Sequence, residues 1–213
     1  MNQISFSKKF MEKFGNVVHD RKLTLLETLK DIFYRIDWRN RKLFSIRNWL
    51  KEQINDPTNQ LLDLADDFNR KFANSDKRMI EIKRYVLSKV FYETDLNRWG
   101  TPELWNTAQT TLDLGEDDCE GFAVLIFVIG RLSGIPANRL LLTCGSLKNG
   151  GGHAYLLYGA DYDGRWYIID GTDRGNLRYI PNCPRLLEDD RYVHPYWWCV
   201  NDEKCKGKFK LVL

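Results

Sequence analysis

Residues 117–136 read DDCEGFAVLIFVIGRLSGIP, and this stretch decides the fold. Gly115 breaks whatever precedes it, and Asp117 and Asp118 are helix-capping residue types set directly before an apolar run. That run, Phe122–Ile129, is eight residues without a charge. It is too short to span a bilayer and suits a buried core helix. Gly134, with Pro136 just beyond, is a stop signal. The pattern predicts a buried helix from about Cys119 to Ser133, opened by a cysteine.

Beyond this helix the apolar period changes from helical to alternating. Leu140–Cys144, His153–Tyr158, Arg165–Asp170 and Leu177–Ile180 read as short strands, with turns at Gly150–Gly152 and Asp161–Gly164. Tyr196–Val200 and Phe209–Leu213 offer one or two more. Upstream, Lys77–Tyr92 has helical spacing, and Asp95–Leu114 reads as an irregular aromatic segment. Residues 1–75 read as charged helices. Leu23, Leu26, Leu29, Ile32, Phe33 and Ile36 form one amphipathic stripe. Phe44, Trp49, Leu50 and Ile54 suggest another helix, stopped by Pro57, and a third spans about Leu61 to Phe72. Helices followed by an antiparallel sheet are the α+β pattern. The expected division is a helical N-terminal extension, 1–75, and a main domain, 76–213.

The chain has 213 residues, 43% hydrophobic and 13% aromatic, which is enough apolar matter for a sizeable core. A net charge of +3 implies no polyanion partner. Residues 1–75 hold 14 Lys and Arg against 10 Asp and Glu, a mild excess that reads as a solvated helical face. Five cysteines, with no apolar leader at the start, point to free thiols in a reducing cytosol. Cys183, Cys199 and Cys205, with His194 nearby, match no zinc spacing, and Cys144 reads as core. No cofactor, metal or membrane association is expected.

Three stretches carry chemistry: Asp117–Gly121, Gly152–Tyr155 and Tyr167–Thr172. A cysteine in a first helical turn faces unpaired backbone N–H groups and the positive end of the helix dipole. Both favour thiolate, and the same N–H groups can receive an oxyanion. The acidic neighbours Asp117, Asp118 and Glu120 oppose this, so the thiolate needs a histidinium partner. His153 opens a strand after three glycines and can point into a cleft as a general base. His19 and His194 are weaker candidates, one in the charged helices and one before Pro195. Asp170 ends an apolar strand, where a carboxylate is costly unless paired, and an imidazole N–H is a natural partner. If the His153 and Asp170 strands form a hairpin across Asp161–Gly164, the two residues meet at one end. Asp173 is a rival for the acid. Each residue also has a bland reading: a buried small hydrophobe for Cys119, a core histidine for His153, a turn former for Asp170.

Asp118-Cys119-Glu120 opening a helix that ends Ser133-Gly134-Ile135-Pro136-Ala137, then Gly152-His153-Ala154 and Ile169-Asp170, resembles the transglutaminase-like cysteine peptidase superfamily, the bacterial and phage members most closely. Trp99–Glu103 and Leu112–Gly115 look like that group's approach to the nucleophile, and the resemblance covers about residues 80–200. It implies a papain-like α+β fold with Cys119 as nucleophile, His153 as base and Asp170 as the orienting acid. It also implies a side chain completing an oxyanion hole, for which Trp99, Trp105 and Gln109 are candidates. Two positions depart from the family: it usually has Gly where Asp117 stands, and an acidic residue where Gly121 stands.

The leading functional reading is a thiol-dependent acyl-transfer enzyme on amide bonds, a cysteine peptidase or amidase with a protein or peptide substrate. One alternative is a transglutaminase, in which an amine resolves the thioester. Another is a binding or structural module, self-associating or holding a partner through its helical N-terminus. Nucleic-acid binding through Arg35–Arg47 is the weakest reading, because no reading motif accompanies the charges.

Overall fold

The computed structural model describes residues 4–5, 46–100, 104–148, 151–175, 179–184, 191–192, 198–203 and 205–206. The apolar stripe Leu23–Ile36, the basic segment Arg35–Arg47 up to residue 45, His19, His194 and the expected strand Phe209–Leu213 lie outside them.

Strand β1 (Ile4–Ser5) is followed among the described residues by a helix over residues 46–55, α1, and by α2 (Asn59–Lys71). The Thr58 hydroxyl accepts the Leu61 amide at 3.3 Å and so opens α2, whose buried Leu61, Ala65 and Phe68 recur at spacings of four and three. Asn74 caps α3 (Ser75–Lys89) in the same way, accepting the Lys77 amide at 2.8 Å. This helix ends before Tyr92, because Phe91 and Tyr92 form β2, paired in parallel with β4 further on.

The segment expected to be irregular holds regular elements among its described residues. It contains α4 (Asp95–Trp99), β3 (Leu104–Trp105) and α5 (Ala108–Leu114), and then β4 (Glu116–Asp117). Thr94 and Thr107 accept the Asn97 and Thr110 amides to open the two short helices, and Gly100 and Gly115 close them at φ of 67° and 66°. Reading the aromatics alone missed those caps.

Helix α6 (Cys119–Leu132) is buried all round from Cys119 to Gly130, and Gly134 takes a φ of 94° just past its end. The strands that follow are β5 (Leu140–Ser146), β6 (Gly152–Gly159), β7 (Trp166–Ile169), β8 (Trp198–Val200) and β9 (Cys205–Lys206). They make one antiparallel sheet in the order β7-β6-β5-β8-β9. The strand expected at Leu177–Ile180 is corrected at its end. Ile180–Asn182 is a 3₁₀ turn, consistent with Pro181, which fixes φ and has no N–H to give a ladder.

Alternation along β6 sorts the molecule into two layers. Ala154, Leu156 and Tyr158 join the larger core, with α6 and with Ile46, Trp49, Leu50, Leu61 and Phe68 of α1 and α2. Tyr155 and Leu157 join Leu141, Ile168, Tyr192 and Cys199 on the other face. Arg131 near the end of α6 meets Asp202 in a two-pronged pair at 2.8 and 2.9 Å, which ties the helix to the chain just past β8. At the end of β7, Gly171 lies so close to α6 that an added Cβ would stand 2.7 Å from Phe122 Cβ. Among the described residues, no helix is long and apolar enough to cross a membrane.

Candidate active site

Cys119 is the first residue of α6 and is only 9% exposed. Its thiol donates to Glu120 Oε2 at 2.9 Å, and the Ala154 main chain, on the adjoining strand, also hydrogen-bonds the sulfur. Burial, and then the Asp118 carboxylate, push this thiol well above its ordinary range. The resting sulfur is therefore a held thiol, and its ionisation needs a base.

His153 is the second residue of β6, following Gly151 at a φ of 90°. Its Nε2 lies 2.7 Å from Asp170 Oδ2, both side chains being buried. The pairing of Leu156 with Ile169, continued one step, puts Asp170 opposite Tyr155, so His153 lies two residues along on the same face. The imidazole rests beside Tyr155, with centroids 6.2 Å apart and rings within 27° of parallel, and near Tyr192 at 6.4 Å.

Asp170 is held from several sides. Oδ2 also accepts the Tyr192 hydroxyl at 2.8 Å, while Oδ1 accepts the Thr172 amide and hydroxyl, each at 2.9 Å. Burial by itself raises this carboxyl, but the His153 hydrogen bond and charge, the Thr172 amide and the Tyr192 hydroxyl outweigh it and hold the group well below the usual carboxylate range. A carboxylate at Nε2 calls for the proton on that nitrogen, which leaves Nδ1 as the basic atom.

The structure thus brings His153 and Asp170 together, as their spacing predicted. It brings Cys119 to the main chain of the residue after His153, but the hydrogen-bond partner of the sulfur is Glu120 and not the imidazole. The rival acid Asp173 is engaged elsewhere, with the Gly175 amide at 2.9 Å and Arg191 at 3.1 Å. Of the oxyanion candidates, Trp99 is 41% exposed beneath the Arg98 guanidinium. Gln109 is taken by Gln60, Asp113 and Thr58. Trp105 packs between Trp49 and Trp198 in the core that includes Cys119.

In the first turn of α6 the Asp118 amide is accepted by Asp117 Oδ1, the Glu120 amide by Asp118 Oδ1 and the Phe122 amide by the Asp118 carbonyl. No described residue accepts the Cys119 amide, so it can serve as a donor to an oxyanion.

Two sets of three side chains bring ligand-type atoms within 4.8 Å of one another: Asp118, Cys119 and Glu120, and Asp95, Asp117 and Asp118. Every carboxylate in them has hydrogen-bond work. Asp118 caps the helix, Glu120 holds the thiol, Asp95 accepts the Leu104 amide, and Asp117 accepts from Thr111, Asn106 and Asp118. Cys144, Cys183 and Cys199 are buried thiols joined in no disulfide; the side chain of Cys205 is outside the described residues.

Sequence reasoning missed three partners. Thr172 was legible, since a hydroxyl residue two positions after an aspartate is a local turn pattern. Glu120 was seen only as a charge opposing the thiolate. Tyr192 carries no sequence signal, because it reaches Asp170 across 22 residues of chain.

Residues 49–178 match the model of a family described as bacterial transglutaminase-like cysteine proteinases. Among solved structures, Legionella pneumophila LapG superposes with a TM-score of 0.53 at 16% identity, over 74% of this chain and 84% of that one. Its EGTA-treated form gives 0.52 at 15% identity, over 73% and 81%. At such identities the likeness is one of fold. No curated protein sequence matches the chain.

Proposed function

Because this chain belongs to the bacterial transglutaminase-like cysteine proteinases, we propose that it hydrolyses an amide bond of a protein or peptide with Cys119 as nucleophile, His153 as general base and Asp170 as its orienting acid. The observation that carries the assignment of residues is the buried 2.7 Å bond between His153 Nε2 and Asp170 Oδ2, one residue before the main chain that bonds the sulfur of the helix-opening Cys119.

The chemistry begins when the Cys119 thiol turns from Glu120 and gives its proton to His153 Nδ1. The sulfur bonds to the carbonyl carbon, and the carbonyl electron pair moves to oxygen, where the Cys119 amide donates to it. The oxyanion collapses, the C–N bond breaks, and the amine leaves with the proton from Nδ1. Water then attacks the thioester with His153 again as base, releasing the acid and the thiol. Through both steps Asp170 keeps the ring oriented and offsets the imidazolium charge.

An amine in place of water would make the same thioester a transglutaminase intermediate, and the family description favours water. The test is a digest of a proteome-derived peptide library by wild type, Cys119→Ala and His153→Ala. Cleavages present only with wild type support the assignment. Cleavage that persists in Cys119→Ala removes it, and incorporation of an added amine without new carboxyl termini moves it to transfer.

A further inference from the structure

Two carboxylates bracket the peptide unit that carries the Cys119 amide. Asp117 Oδ1 accepts the Asp118 amide at 3.0 Å, and Asp118 Oδ1 accepts the Glu120 amide at 3.2 Å. Asp118 is therefore gripped by its own amide and by its own side chain. The peptide between Asp118 and Cys119 cannot turn without breaking one of those bonds.

Asp117 is itself immobilised. It is 2% exposed, and its Oδ2 accepts Thr111 Oγ1 at 2.6 Å and Asn106 Nδ2 at 3.2 Å. The carboxyl is also seated against the helix start. A Cβ added at Gly121 would stand 2.1 Å from Asp117 Cγ and 2.2 Å from Oδ2. The bare backbone at 121 is what admits the carboxyl under the first turn. The Cys119 amide, at the end of this chain of contacts, is the donor with no acceptor among the described residues.

Resting on the thiol-enzyme reading above, we propose that Asp117 is a positioning residue for the reaction: by pinning the Asp118 amide it aims the Cys119 N–H at the place where the substrate oxyanion forms. It touches neither the sulfur nor the substrate. Its contribution belongs to carbonyl addition and not to the reactivity of the thiol as such.

Two reagents separate these. Iodoacetamide is attacked at a saturated carbon, iodide leaves, and no oxyanion forms. N-acetylaminoacetaldehyde, a minimal peptide-aldehyde analogue, adds the sulfur to its carbonyl carbon; the carbonyl electron pair goes to oxygen, which takes the thiol proton, giving a hemithioacetal with oxygen in the oxyanion position. Alkylation is read at Cys119 by peptide mass, and aldehyde binding by the protection it gives. Asp117→Ala is expected to weaken the aldehyde about tenfold, less than the ~10²–10³ lost when an oxyanion donor is removed outright. Its alkylation rate stays close to that of wild type.

Asp117→Asn keeps a carbonyl oxygen for the Asp118 amide and recovers most of the aldehyde affinity, which also shows that a folded variant responds to the hydrogen bond. Equal loss of both reactions in Asp117→Ala, or unchanged aldehyde affinity, overturns the proposal. If wild-type Cys119 takes iodoacetamide no faster than a free thiol and is never protected by the aldehyde, the thiol-enzyme reading itself falls, and this inference with it.

Discussion

Replacing Asp170 by asparagine alters one atom of the His153 pair and reverses its hydrogen-bond sense. The new amide can keep its oxygen toward Thr172, where Oδ1 now accepts two bonds at 2.9 Å. Its NH2 then faces His153 Nε2 and the Tyr192 hydroxyl, the partners now served by Oδ2 at 2.7 and 2.8 Å. A donor opposite Nε2 moves the imidazole proton to Nδ1, the atom proposed to accept the proton of Cys119. The lost charge-assisted bond is worth about 1.5–3 kcal/mol, or roughly one to two decades in rate. The wrong tautomer adds to this, as in the serine-protease case where the matching change costs ~10⁴. The expected loss of Cys119-dependent kcat is therefore about 10²- to 10⁴-fold, with KM little changed, because no binding contact is removed. Circular dichroism and thermal melting establish that the variant is folded. Activity within about threefold of wild type in a folded Asp170→Asn protein would refute the pairing as the source of the base.

Four further outcomes follow from the packing. Gly121→Ala forces a methyl into the Asp117 carboxyl and should cost about 1–3 kcal/mol by overpacking; the cost shrinks when Asp117→Ala is added, and strictly additive melting shifts would contradict the contact. Lys83 is 1% exposed with no hydrogen-bond partner among the described residues, and burial lowers its pKa. Lys83→Met should accordingly raise the denaturant midpoint by about 1–3 kcal/mol equivalent, and a lower midpoint would show the ammonium to be useful. Burial, only partly offset by Thr111 and Asn106, raises Asp117 to about 6. The unfolded chain releases that proton near ~3.9, so the folded state holds more protons between the two values. The contribution of this group to stability falls as pH rises through that window and is level above it; the melting difference between wild type and Asp117→Asn should track it, and a difference that is flat from pH 4 to ~7 would contradict it. Arg131→Ala leaves Asp202, 7% exposed, without its two-pronged partner and should cost about 1.5–3 kcal/mol, with Arg131→Lys recovering a fraction; an unchanged melting temperature would show the pair to be decorative.

Much of this arrangement was legible because it is local. A continuous apolar run with caps at each end could only be a buried helix, and the structure places α6 where the sequence did. His153 and Asp170 were legible as a pair because a hairpin with a known turn fixes which residues share an end. What escaped is non-local or depends on atoms at the caps. Two threonines and two glycines set α4 and α5 inside a stretch whose tryptophans suggested disorder of pattern. Tyr192 reaches Asp170 from 22 residues along the chain, which no periodicity encodes. The departures at 117 and 121 were visible as two oddities, and only the folded chain shows that one side chain fills the space the other leaves empty.

Gly171 follows Asp170 directly, and a Cβ there would stand 2.7 Å from Phe122 Cβ and 3.0 Å from Ile126 Cδ1. Three residues on, Arg174 reaches the carbonyls of Leu87 and Val90 at the end of α3. The strand end bearing Asp170 is thus keyed to the helix bearing Cys119 at a point where neither can give way. A slide of α6 along its axis by a fraction of a turn would run Phe122 into Gly171 and carry Asp170 with it. The separation of the proposed nucleophile and acid is therefore set mechanically, by steric gauge, and position 171 admits no side chain while α6 lies where it does.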